Sequence, residues 1–322
     1  MINKVLFFTL SNFGDVILTL PVLDALRASY PNAKITVMVG PRAAEIFKNT
    51  PYIHDFIIYN KYATLREKIR LFSQLKKEHF DVVIDLRNTL FGALLPARFK
   101  TSPFLRIPSD IQHMKTRNLY RFRMALRQKG LWAAVKEKLL YISPEDKDYI
   151  NALLEQNGIT SEDRIVIVNP AAGGHTRRWK KEKFVQLCQK LAIEYSVILI
   201  GRKDDKPLTG YIQANCTGRI FNFAGLTNIA QLSSLLKRSS LVLTCDTGIL
   251  QLASYLDIPI VALFGPSDEH RYGPWSSKCR VITTQLPCRP CKRPDCRFKT
   301  VECMREISVS EVLDSIDLLL KS

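Results

Sequence analysis

The strongest constraint on this chain is a pattern that runs through its first hundred residues and restarts after residue 160. A short apolar run is followed by a loop containing glycine or proline, then by an amphipathic stretch. In the first half, residues 4–8 read as a buried strand and Ser11 to Gly14 as a loop. A helix is predicted over 15–29, because Val16, Leu20, Leu23 and Leu26 recur at helical spacing. Pro31-Asn32 closes it. Residues 33–39 alternate as a strand, Gly40-Pro41 opens a short helix, and Val82-Val83-Ile84 is a further apolar strand ending at Asp85. In the second half, strands are predicted at 165–168, 197–200, 241–244 and 260–264, with helices over 183–194, 229–237 and 248–256. Strands separated by helices imply parallel sheets with helices on both faces. The expected fold is therefore α/β, two doubly wound domains over 1–155 and 156–322, joined near 143–163. Ligands of such sheets bind beyond the carboxyl ends of the strands, and a cleft between the two halves is the expected site.

Charge narrows the partners. The formal net charge of +17 implies a polyanionic ligand: nucleic acid, an anionic membrane surface or a phosphorylated glycolipid. The excess is concentrated between Arg98 and Lys138. There Arg98, Lys100, Arg106, Lys115, Arg117, Arg121, Arg123, Arg127, Lys129, Lys136 and Lys138 are opposed only by Asp110 and Glu137. Phe104, Tyr120, Phe122, Leu131, Trp132, Leu139 and Tyr141 are interleaved with them, which suits either an amphipathic surface element or a helical insertion packed on its own domain. No groove-reading motif or base-stacking sheet supports a nucleic-acid partner. No apolar run approaches the roughly 20 residues that span a bilayer, and no convincing signal peptide is present, so the chain is expected to remain in the cytoplasm.

Three stretches carry chemistry. Asp15 follows Gly14 after the first strand, where a carboxylate is placed either to take a proton from an attacking hydroxyl or to cap the next helix. Residues 169–179, NPAAGGHTRRW, offer Gly173 and Gly174 for close backbone approach to phosphate and Arg177 and Arg178 to neutralise it. The alternative is an ordinary loop with exposed arginines. At Cys245-Asp246-Thr247-Gly248 a strand ends and a helix opens, so the N–H groups of Thr247 and Gly248 suit a diphosphate, while Asp246 suits a cap or a donor hydroxyl. There is no Walker ending, no His-Glu-x-x-His, no Gly-x-Ser-x-Gly and no Asp-x-Asp at a strand end.

Eight cysteines are present. Cys188, Cys216, Cys245 and Cys279 are scattered and read as reduced, partly buried thiols. Cys288, Cys291, Cys296 and Cys303 cluster with irregular gaps, compatible with a structural metal, most plausibly zinc, or with four unligated thiols.

Taken together in order, four stretches resemble the lipopolysaccharide heptosyltransferases of glycosyltransferase family 9. They are Ser11-Asn12-Phe13-Gly14-Asp15 with Pro21, the loop ending Arg177-Arg178-Trp179, Phe223-Ala224-Gly225-Leu226-Thr227 leading to Asp246-Thr247-Gly248, and Phe264-Gly265-Pro266-Ser267 with Gly273-Pro274. The cysteine cluster also looks like one in some members. The resemblance implies two Rossmann-like domains of the GT-B type and an inverting transfer from ADP-heptose to a lipid-linked, phosphorylated core sugar at the inner membrane's cytoplasmic face. By position, Asp15 would be the general base. Gly173, Gly174, Thr176, Arg177, Asp246, Thr247, Gly248 and Gln251 would serve the donor. Asn12, Gly14, Arg117, Arg121 and Arg123 would serve the anionic acceptor. Arg177 stands where the family usually has lysine, and Gln251 where many members have histidine. No cofactor is implied for catalysis. The alternatives are transfer or epimerisation with another nucleotide-sugar, and a non-catalytic sugar-lipid binder.

Overall fold

The computed structural model describes residues 2–127 and 138–321. The chain divides into two compact units between Tyr141 and Ile142.

The first unit runs β1 (Lys4–Phe8), α1 (Phe13–Ile17), α2 (Leu20–Ser29), β2 (Lys34–Val39), β3 (Asp55–Ile58), α3 (Leu65–Lys77), β4 (Val82–Asp85), α4 (Leu90–Leu94), β5 (Phe99–Lys100) and α5 (Met114–Leu126). Its sheet is ordered β3-β2-β1-β4-β5, and every pairing is parallel. The central strand β1 is apolar on both faces, as a parallel strand sandwiched between helix layers must be, and Val5, Leu6, Phe7 and Phe8 are buried. One face packs Leu6, Phe8 and Met38 against Leu75 and Phe91 from the flanking helices.

The helix expected over 15–29 is two helices. Pro21, in the first turn of α2, has no N–H to return to the preceding turn, so the chain breaks at Leu18-Thr19. The Thr19 hydroxyl fills the break by donating to the Val16 carbonyl at 2.6 Å, and it also contacts Thr9 Oγ1. In the basic segment, α5 is a helix packed on its own unit. It buries Leu119, Phe122, Ala125 and Leu126, and Asn118 Nδ2 donates to the Leu18 carbonyl. Lys129, Leu131, Trp132, Lys136 and Glu137 lie outside the described residues.

The second unit runs α6 (Pro144–Gln156), β6 (Ile165–Asn169), α7 (Lys181–Leu191), β7 (Ser196–Leu199), α8 (Lys206–Ala214), β8 (Ile220–Asn222), α9 (Ile229–Arg238), β9 (Leu241–Cys245), α10 (Gly248–Leu256), β10 (Ile260–Phe264), α11 (Glu269–Tyr272), β11 (Cys279–Thr283), α12 (Glu302–Arg305) and α13 (Val309–Lys321). Its sheet is ordered β11-β10-β9-β6-β7-β8, again all parallel. The boundary at 155/156 read from the sequence leaves α6 in the first half. In the structure α6 belongs to the second unit: the Tyr149 hydroxyl donates to the Leu226 carbonyl at 2.7 Å, and Asn228 Nδ2, at the start of α9, donates to Asp146.

Candidate active site

Each sheet has one point where the strand order reverses, and crevices form at the carboxyl ends of the two strands that flank it. In the first unit this point lies between β1 and β4. The loop after β1 holds Ser11 to Asp15, and the loop after β4 holds Leu86 to Thr89. Asn12 occupies the cap position of α1, so Asp15 is not the cap but a residue of the first turn. Asp15 is half-buried, and among the described residues its hydrogen-bond partner is Asn12 Nδ2 at 3.0 Å. Most of its accepting capacity remains open. The Gly14 carbonyl accepts from Leu18 N–H in the same turn.

The β4 side is organised by Asp85. Its carboxylate is buried and accepts from Arg87 N–H at 2.9 Å, Thr89 N–H at 2.8 Å, the Thr89 hydroxyl at 2.7 Å and Gly92 N–H at 3.2 Å. Burial pushes this carboxyl above the usual aspartate value, while the hydrogen bonds pull it down. Gly92 is required here, since a Cβ would lie 2.4 Å from that of Asp85. The loop so fixed presents Arg87, whose guanidinium rests over the rings of Tyr59 and Phe8 and donates to the Ser11 hydroxyl. It also presents Asn88, which accepts from Arg121 of α5. Burial, then the nearby Arg117, holds the Arg121 guanidinium below its ordinary value. Arg117 itself donates to the Ile111 carbonyl at 2.9 Å. Arg123, two residues beyond Arg121, points to another side of α5. Arg121 is therefore tied directly to the loop after β4, with Arg117 beside it. Arg87 is a residue that sequence reasoning missed. Its neighbour Ser11 is 76 positions away, and only the pairing of β1 with β4 brings them together.

In the second unit the strand order reverses between β6 and β9. Arg177, in the loop after β6, donates to Asp246, at the end of β9, at 3.1 Å. The Ser267 hydroxyl, from the loop after β10, donates to the same oxygen at 2.5 Å. Asp246 thus fixes Arg177 rather than meeting an anion itself. Asn169 closes the strand ends by donating to the hydroxyls of Thr244 at 3.0 Å and Thr247 at 3.1 Å. The Thr247 side chain accepts from Ile249 N–H and caps α10. Gly173 lies where a Cβ would stand 3.2 Å from Arg177 Nη2, and Gly174 faces open space. Arg178 folds back onto the Ala172 carbonyl.

Two residues assigned to the donor are committed elsewhere. Gln251 is buried: its Nε2 donates to the Tyr272 carbonyl at 2.6 Å, and its Oε1 accepts from Trp275 Nε1 at 3.1 Å. Its amide therefore holds the 272–275 turn. Thr176 is buried, and its hydroxyl donates to the Pro294 carbonyl at 3.2 Å. Cys245, next to Asp246, is no nucleophile, because burial pushes its thiol up to about 12.

The cysteine segment braces this region. Arg289 donates to the carbonyls of Gly265 and Thr284 and pairs with Glu269 at 3.1 Å. Among the described residues no three His, Cys, Asp or Glu side chains are grouped as a metal ion's ligands would be. Cys303 is buried where a Cβ on Gly265 would approach its sulfur to 3.3 Å, and the half-buried Cys296 thiol is held below its ordinary value by the N–H groups of Val301, Phe298, Thr300 and Lys299. Burial, and after it the neighbouring Cys291, Cys288 and Cys296, push the Cys303 thiol up, so the four cysteines lie in one neighbourhood.

Known proteins share this build. The chain is 24% identical to lipopolysaccharide heptosyltransferase 3 of Escherichia coli, covering 96% of this chain and 97% of that protein. The glycosyl transferase family 9 protein of Veillonella parvula superposes with a TM-score of 0.81 at 21% identity, over 99% of this chain and 97% of that one. The ADP-heptose lipopolysaccharide heptosyltransferase II of Escherichia coli superposes with a TM-score of 0.74 at 22% identity, over 99% and 98%. The two units are thus Rossmann-like domains of the GT-B type. The profile of glycosyltransferase family 9 (heptosyltransferase) matches residues 68–302, and the chain belongs to that family.

Proposed function

We propose that this glycosyltransferase moves a heptose, with inversion, from an ADP-sugar to the inner core of lipopolysaccharide. The observation that carries the reading is Asp15, a half-buried carboxylate at the first unit's switch point with open accepting capacity. Asp15 takes the proton of an acceptor hydroxyl as that oxygen bonds to the anomeric carbon of the donor. The anomeric bond to the diphosphate breaks with the electron pair leaving on ADP. Arg177, oriented by Asp246, and the N–H groups opening α10 offset the charge that develops on the leaving diphosphate. Arg87 and Arg121 suit the anionic groups of a phosphorylated glycolipid acceptor. The names of the relatives supply the sugar and the acceptor class. No described helix is long and apolar enough to cross a membrane, and in this reading the protein meets such an acceptor as a peripheral protein at the cytoplasmic face of the membrane.

The test is transfer from ADP-heptose and a panel of other nucleotide-sugars to a truncated lipid-A-linked acceptor. Heptose transfer is expected, with kcat lowered about 10²–10⁴-fold in Asp15→Asn, which keeps the shape and removes the base. A near-normal rate in that variant removes Asp15 from the chemistry. Turnover with another nucleotide-sugar alone replaces the donor.

A further inference from the structure

The first unit carries an apolar surface that neither the core nor the site explains. Helix α3 opens with a complete capping box between Thr64 and Glu67, so its start is fixed rather than frayed. Its inward side is spent on the core through Leu71, Phe72 and Leu75. Leu65 and Ile69, one turn apart on a single row, are nevertheless 74% and 57% exposed, and Tyr62, just before the cap, is 81% exposed. Arg66, Arg70 and Lys77 form the adjoining exposed row, and Lys61 lies against the Tyr62 ring. Across α3, Arg66, Lys68, Arg70, Lys76 and Lys77 face one carboxylate, Glu67, which is already used in the cap.

We infer that Tyr62 and the Leu65/Ile69 row of α3, with the arginine row beside it, dock on an anionic lipid surface. An apolar stripe bordered by cations, with a tyrosine at its end, is the composition of a helix that lies in a bilayer interface. Its aliphatic side chains enter the headgroup boundary while the guanidinium groups remain among lipid phosphates. The charge also selects among occupants. A second copy seated on the same face would bring two sets of five cations together, which repels rather than binds. The inference deepens the proposed function by naming the surface with which the protein would meet a membrane-held acceptor, and it rests on that reading for its purpose. Vesicle binding, however, requires no acceptor and no catalysis.

Full-length protein is sedimented with phosphatidylcholine vesicles with and without phosphatidylglycerol. Binding is expected only where the anionic lipid is present, and it should fall as salt rises. Leu65→Gln/Ile69→Gln and Arg66→Gln/Arg70→Gln should each weaken it about tenfold or more. Ile193→Ser removes an 81% exposed apolar side chain of the second unit and should leave binding unchanged. ADP binding should be unaffected in every variant, which separates this result from a failure of the transferase reading. Undiminished vesicle binding in both double variants overturns the inference. So does a loss caused only by Phe104→Ser, which would move the contact to the 90% exposed residue beyond β5. A dimer dissociated by Leu65→Gln/Ile69→Gln with vesicle binding intact would assign the face to a second copy instead.

Discussion

Asp15 and Asp246 stand on opposite sides of their sheets' switch points, Asp15 after β1 and Asp246 after β9, the counterpart of β4. Each follows a strand that flanks its sheet's switch point, and each stands where a helix begins. Their hydrogen bonds set them apart. Asp246 is pinned by Arg177 and Ser267 on one oxygen and serves to hold a guanidinium still. Asp15 receives a single side-chain amide from a residue three positions back. One Asp246 oxygen is committed to the guanidinium and the serine hydroxyl, whereas Asp15 keeps most of its lone pairs open to a substrate hydroxyl. In the proposed reading the same residue type beside a switch point serves as a base in one unit and as a strut in the other.

That contrast predicts opposite kinetic phenotypes. Asp15→Asn should lower kcat by about 10²–10⁴-fold while leaving ADP affinity unchanged. Asp246→Asn should act mainly on the donor. With the charge-assisted bond to Arg177 lost, worth about 1.5–3 kcal/mol, ADP-sugar affinity should fall by roughly 10–100-fold. Calorimetric titration of ADP into both variants decides the matter. Weakened nucleotide binding in Asp15→Asn, with tight binding in Asp246→Asn, would exchange the roles assigned to the two units.

The sequence revealed the alternation of strands and helices because parallel strands buried on both faces are continuous apolar runs, and β1, β6, β9 and β10 fall where those runs are. It pointed to Asp15 and to the loop over 169–179 because loops at strand ends carry chemistry in such sheets, and both follow strands that flank a switch point. It could not reveal Arg87, whose aromatic support comes from Phe8 and Tyr59 on other parts of the sheet. Nor could it show that Gln251 faces inward. Position relative to Gly248 put Gln251 beside the donor, but α10 is buried nearly all round, so its rotation cannot be read from an apolar stripe. Thr176 misled for a related reason. A hydroxyl in a glycine-rich loop reads as a phosphate ligand until the Pro294 carbonyl, 118 residues away, is seen to take it.

Gln251 also offers the next sharpest test of the comparison, since it assigns a residue beside the donor strut to stability rather than binding. Gln251→Ala removes the amide that bonds the half-buried Tyr272 carbonyl and Trp275 indole N–H. A hydrogen bond contributes about 0.5–1.5 kcal/mol, so losing two should lower the thermal midpoint by several degrees. ADP affinity should change far less than in Asp246→Asn. A loss of nucleotide affinity without loss of stability would return Gln251 to the donor site.

The smallest effect concerns a strut in the same unit as the proposed base. Asp81, before β4, accepts from the N–H groups of Asn3 at 2.7 Å and Lys4 at 3.0 Å, tying the entry of β4 to the entry of β1. These two bonds hold its carboxyl below the ordinary aspartate value. A carboxyl whose folded value is depressed binds fewer protons when folded than when unfolded. Its contribution to stability is therefore complete above the unfolded value of about 3.9 and is lost as pH falls through the lower folded value. Asp81→Asn should flatten that acid limb and cost little more than the weakened acceptor at neutral pH. Thermal denaturation of both proteins across this range measures the difference. If the two acid limbs run parallel, Asp81 is not a strut, and the distinction between spent and open carboxylates loses its support in the first unit.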